Sequence, residues 1–100
     1  MMIPKKNELL DIISQQHQEL TTTFQVDSLF VFGSVAKGVS RPDSDIDILV
    51  KYQKTPGLFK FLDLKNFLEN ITGRKVDLVT EGALKKQLKD QIVKESIRVA

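Results

Sequence analysis

The apolar residues near the amino terminus fall at helical spacing. Leu9, Leu10, Ile12, Ile13 and Leu20 form one stripe over residues 5–22, which predicts an amphipathic helix with one face on a core. The period then changes. "SLFVFG", residues 28–33, is a short and nearly continuous apolar run, as expected of a strand covered on both faces. "GSVAKGVSRPDSD", residues 33–45, is rich in turn formers, although "SVAK" suits one or two helical turns with Ser34 as the N-cap. "DIDILVKY", residues 45–52, predicts a second strand. Helical spacing returns over residues 57–73 through Leu58, Phe61, Leu62, Leu64, Phe67, Leu68 and Ile71, with Gly73 placed to cap the carboxyl end. "KVDLVT", residues 75–80, reads as a third strand. Residues 83–98 read as a last helix whose stripe of Leu84, Leu88, Ile92, Val93 and Ile97 packs on the sheet. This order predicts an α/β (α+β) architecture: a small mixed sheet with helices packed on it.

Composition narrows the classes. One hundred residues with 41% hydrophobic content suffice for one core, so residues 1–100 are expected to form a single domain. There is no cysteine, so disulfides and thiolate metal sites are excluded, which agrees with a cytoplasmic location. Charges interrupt the first apolar residues, which fits neither a signal peptide nor a membrane span. A formal net charge of +2 is too small to argue for direct nucleic-acid binding. His17 is the sole histidine and lies among glutamines, the setting of a surface residue. That single imidazole also excludes a Ser-His triad and a histidine-rich zinc site. In residues 81–100, Lys85, Lys86, Lys89, Lys94 and Arg98 face Glu81, Asp90 and Glu95 in number; Lys85, Lys86 and Lys89 are expected to stay exposed.

The unusual chemistry lies between the first two strands. Strand side chains alternate faces, so Asp45 and Asp47 are expected on one face while Ile46, Ile48 and Val50 enter the core. Carboxylates about 7 Å apart along a strand repel if they lose water. A divalent cation between them reverses that interaction, and hard oxygen ligands suit magnesium. Asp77, flanked by Val76 and Leu78 in the third strand, can join the pair on the same sheet face. Three such carboxylates suit a two-metal phosphoryl-transfer site. Gly33 and Ser34 supply close backbone approach and a helix start for phosphate. Without that context, "DSDID" is merely a turn entering a strand, Asp77 one strand carboxylate facing water, and Lys37 a loop lysine.

Gly33-Ser34, ten intervening residues and then Asp45-x-Asp47 resemble the signature of the polymerase beta-like nucleotidyltransferases. "FGSVAKGVSRPDSDIDILV" followed by "KVDLV" is closest in pattern to the minimal nucleotidyltransferase (MNT) domain proteins of bacteria and archaea. The resemblance covers about residues 28–80, and the flanking helices fit that family's layout. It implies the polymerase beta-like fold and transfer of a nucleoside monophosphate from a nucleotide triphosphate to a hydroxyl. Stand-alone MNT proteins are antitoxins that move AMP from ATP onto a tyrosine of a HEPN ribonuclease toxin. Carried onto this chain, the resemblance makes Asp45, Asp47 and Asp77 the catalytic and metal-binding residues, with two Mg2+ ions. Gly33, Ser34 and Lys37 become nucleotide-binding residues, and a HEPN toxin becomes the partner in a hetero-oligomer. One position departs from the family pattern "GSxARG": Lys37 stands where arginine is usual, keeping the charge but losing the bidentate fork. Two alternatives stay open: the same chemistry on a small molecule or RNA end, and a non-catalytic antitoxin that neutralises its partner by binding.

Overall fold

The architecture follows from a computed structural model that describes residues 6–38, 45–83 and 86–100, with the backbone alone at 6, 7 and 86–89. Four strands form one mixed sheet in the order β3-β2-β1-β4. β1 (Val26–Phe32) and β2 (Ile46–Tyr52) are antiparallel, as are β1 and β4 (Ile97–Arg98). β2 and β3 (Val76–Thr80) run parallel. Their crossover is α4 (Leu58–Thr72), which ends at Gly73 in the left-handed region, φ 68°; only glycine adopts that cap without a Cβ penalty. The mixed sheet and the helical crossover match the sequence pattern.

Alternation along the strands separates two faces. Leu29, Val31, Ile46, Ile48, Val50, Val76 and Leu78 join one buried cluster with Leu9, Ile13, Leu64 and Leu68. α1 (Lys6–Ser14) packs on α4 and so closes this side of the sheet. Asp47 and Leu49 project from the other face of β2, opposite Phe32 and Phe30 of β1. α5 (Lys86–Glu95) packs on β1 and on the short α3 (Gly33–Lys37). Glu69 ties the crossover to the sheet by accepting the Val76 N–H at 2.9 Å. No described helix is long and apolar enough to cross a membrane.

Several boundaries differ from the sequence pattern. The first helix is two: α1 stops at Ser14 and α2 spans His17–Thr22. Between Ile13 and Leu20 the residues that would continue the stripe are Gln16 and His17, so no apolar contact holds the middle turn. The Ser14 hydroxyl instead donates to the Val99 carbonyl, at 2.7 Å. His17 is exposed, as expected. β1 begins at Val26, and an irregularity between Val26 and Ser28 shifts its register against β2. The final segment is not one helix to residue 98. A 3₁₀ turn (Glu81–Ala83) precedes α5, and Ser96 ends the helix by giving both its N–H and its hydroxyl to the Val93 carbonyl. Ile97 and Arg98 then pair with β1, and Val99 is buried. Helical spacing fitted Ile97 equally well; pairing with an open edge of β1 decided otherwise. In α4, Leu64 and Leu68 are buried, whereas Leu58 and Leu62 are exposed. Leu84 and Lys85 lie outside the described residues, as do the side chains of Lys86, Leu88 and Lys89.

Candidate active site

β1 delivers the chain to Gly33, whose φ of 69° turns strand into α3. The same glycine leaves room for a neighbour. A Cβ at this position would collide with Asp47 Oδ2 and come within 3.1 Å of its Cγ. Glycine therefore does two things here: it accepts a left-handed backbone and it lets a carboxylate lie against the turn. Ser34 sits inside the first turn of α3 and is not its N-cap. That place belongs to Phe32, and no side chain caps the helix. The correction has a local cause: the turn occurs at Gly33, one residue earlier than a serine cap would require.

Asp47 projects from β2 directly opposite Phe32, and on its other side the parallel register pairs it with Asp77 of β3. The pairing is the direct consequence of equal alternation on two parallel strands. Asp45 lies just before the first residue of β2, outside the strand, and is exposed. Asp77 is exposed and Asp47 half-buried. Burial, then the Asp77 carboxylate and then that of Asp45 push the Asp47 pKa above its ordinary value. All three shifts have one sign, because each penalises the ionised form. The structure thus gathers Asp45, Asp47, Asp77 and Gly33 at one end of the sheet.

Lys37 closes α3 and is mostly exposed, with its ammonium 3.9 Å from Glu95 of α5. An exposed pair at that distance holds the side chain weakly. Sequence reasoning missed Glu95, and no local signal marks it, since the contact depends on α5 folding back onto α3. Among the described residues, no three acidic or histidine side chains converge to hold a metal ion by themselves. The donor chemistry nevertheless fits a hard cation held by one or two carboxylates and completed by water and substrate phosphates, which is how magnesium is usually bound. A half-buried carboxylate pressed by two like charges is also the group that such a cation would most relieve.

Residues 7–99 match the nucleotidyltransferase domain family. The chain belongs to that family. Protein adenylyltransferase MntA of Thermococcus cleftensis is 37% identical over 92% of this chain and 93% of the relative. A Methanocaldococcus jannaschii protein with the provisional name protein adenylyltransferase MJ1215 is 40% identical, covering 78% of this chain and 91% of its own. A solved structure provisionally described as a minimal nucleotidyltransferase superposes with a TM-score of 0.74 at 36% identity, covering 84% of this chain and 86% of that one. A chain in the solved structure of a tri-AMPylated Shewanella oneidensis HEPN toxin in complex with MNT antitoxin has a similar fold, with a TM-score of 0.64 at 20% identity, over 91% of this chain and 71% of that one. A nucleotidyltransferase domain makes the chain a transferase.

Proposed function

We propose that this chain is a magnesium-dependent protein adenylyltransferase that moves AMP from ATP onto a tyrosine hydroxyl of a HEPN ribonuclease toxin. It would thereby act as the antitoxin of a hetero-oligomeric pair. The observation that carries this reading is the register of Asp47 against Asp77, with the Gly33 backbone lying on Asp47. The names of the relatives support a protein acceptor, and the solved complex above supports a HEPN partner.

Each residue then has a role that its position allows. Asp45 and Asp47 would hold magnesium, with Asp77 completing the set. When bound, the metal neutralises triphosphate charge and polarises the α-phosphate. Gly33 lets the Asp47 carboxylate lie against the turn, so that phosphate held by the metal would come beside Ser34 in the first turn of α3. Lys37 offers a point charge toward the phosphates in exchange for its weak contact with Glu95. Asp77 accepts the proton of the acceptor hydroxyl as that oxygen attacks the α-phosphorus. The bond from the α-phosphorus to the bridging oxygen breaks, and pyrophosphate departs with the electron pair. Little covalent work falls to the protein, since positioning and charge neutralisation supply most of the acceleration.

The test incubates the protein with Mg2+, labelled ATP and a candidate HEPN partner. Label should appear on the HEPN tyrosine, and Asp45→Asn with Asp47→Asn should abolish Mg-ATP binding by calorimetry. Asp77→Asn should stay folded and keep most of its Mg-ATP affinity, yet lose at least about a hundredfold in transfer, the low end for removal of a general base. Undiminished transfer by Asp77→Asn would leave Asp77 an ordinary surface carboxylate. Full neutralisation of the toxin without label on it would replace the enzyme by an occluding antitoxin.

A further inference from the structure

At the opposite end of β2 and β3 from the carboxylates, a groove of about 520 Å³ opens against the first turns of α4. Tyr52, Pro56, Leu58, Phe61, Thr80 and Glu81 are among the residues that line it. Beside it stand exposed large apolar side chains: Leu58 at 69%, Phe59 at 82% and Leu62 at 42% exposure. Residues 58, 59 and 62 share one helical face at i, i+1 and i+4 spacing, while Phe61 and Leu64 turn to the core cluster. The first two turns of α4 are therefore apolar nearly all round, a pattern that belongs to a helix covered on both sides.

Charge indicates what covers it. Lys54 lies in the turn leading into α4, and Lys60 and Lys65 follow on the helix, with Asp63 the acidic residue among them. Among the described residues none of these three lysines forms an ion pair with a carboxylate. Lys51, at the groove wall, is instead held by Glu81 at 3.8 Å and lies over the Phe30 ring. The apolar strip thus has a net basic rim. A second copy placed symmetrically on this face would set that rim against itself, which disfavours self-association.

We infer that this groove and the exposed face of α4 dock an amphipathic helix of a partner protein whose apolar side is flanked by acidic residues. This goes beyond the transfer chemistry and does not depend on it, because no groove residue belongs to the carboxylate cluster. The geometry joins the two ends all the same. Lys51 follows Asp47 by four residues on the same strand face, about 13 Å away. A helix of ordinary length docked at the groove spans that distance.

A synthetic 18-residue helical peptide, with leucines on one face and glutamates on both flanks, is the probe. Titrated into the protein at low salt, it should bind saturably and weaken as salt rises. Phe59→Ser with Leu62→Ser should weaken binding at least about tenfold, as expected for loss of buried apolar anchors. Both positions are exposed, so thermal melts should show the variant folded, and its Mg-ATP binding should be unchanged. Lys54→Glu with Lys60→Glu should weaken the acidic peptide and flatten its salt dependence. Equal binding of a peptide with lysines on its flanks would overturn the proposal, as would no binding of the acidic one. A dimer seen by sedimentation and dissolved by Phe59→Ser with Leu62→Ser would also overturn it, assigning the face to a second copy.

Discussion

The two ends of the β2–β3 pair share strands but fail to satisfy opposite things. At the amino-terminal end, Asp45, Asp47 and Asp77 crowd like charges around one half-buried carboxylate. At the other end, Leu58 and Phe59 stand in water while the Tyr52 hydroxyl is buried with no hydrogen-bond partner among the described residues. One end lacks positive charge and the other lacks apolar cover. Both deficits are tolerated because the sheet between them is well buried, with Ile48, Leu49 and Val50 at 0% exposure. The comparison teaches that stability resides in the centre of this domain and that its unsatisfied groups lie at the ends.

The largest effect that can break the comparison is expected at Gly33. Gly33→Ala forces a Cβ into a left-handed backbone, costing about 1–2 kcal/mol, and displaces the Asp47 carboxylate it would strike. Melting should fall by several degrees, and Mg-ATP binding should be lost even though every carboxylate is still present. A variant with undiminished affinity would show that the contact between Gly33 and Asp47 is incidental.

A smaller effect of opposite sign is expected at Asp47 itself. Its pKa is raised in the folded protein above the ordinary 3.8, so the folded state favours the protonated form. That contribution to stability is fully present below about pH 3.8 and is lost as pH rises through the raised folded value. Asp47→Asn removes the like-charge crowding at neutral pH. Without divalent cation the variant should melt about 2–4 °C above wild type at pH 7, and the gap should close as pH falls toward 3.8. An equal melting temperature across that range would mean that Asp47 carries no electrostatic cost.

The smallest effect is expected at the other end. Burial pushes the Tyr52 phenol up to about 12, so it remains a neutral donor, yet none of the described groups accepts from it. Tyr52→Phe removes a buried polar atom without removing a bond, and should be neutral or stabilising by up to about 1 kcal/mol. Chemical denaturation measures this directly. A loss above 1 kcal/mol would reveal an acceptor for the hydroxyl and erase the contrast in polar satisfaction.

The sequence by itself determined the order of the first three strands and the helices between them, the carboxylate spacing and the glycine turn, because each depends on neighbours within a few residues. Alternation in "DIDILV" and "KVDLV" sent Ile46, Ile48, Val76 and Leu78 inward and the aspartates outward, whatever the partner strand. Gly33 and Gly73 were legible for the same reason: a turn and a helix end each need positive φ at a fixed place. Only the tertiary structure decided which strands meet. The parallel register that sets Asp47 against Asp77, the fourth strand drawn from Ile97 and Arg98 and the contact of Lys37 with Glu95 all join residues distant in the chain. No local pattern encodes such pairs, since their free energy comes from surfaces buried together. The same holds for α4, where helical spacing counted Leu58 and Leu62 with Leu64 and Leu68. Periodicity says which residues share a helix face; the reach of the neighbouring sheet says where its cover ends.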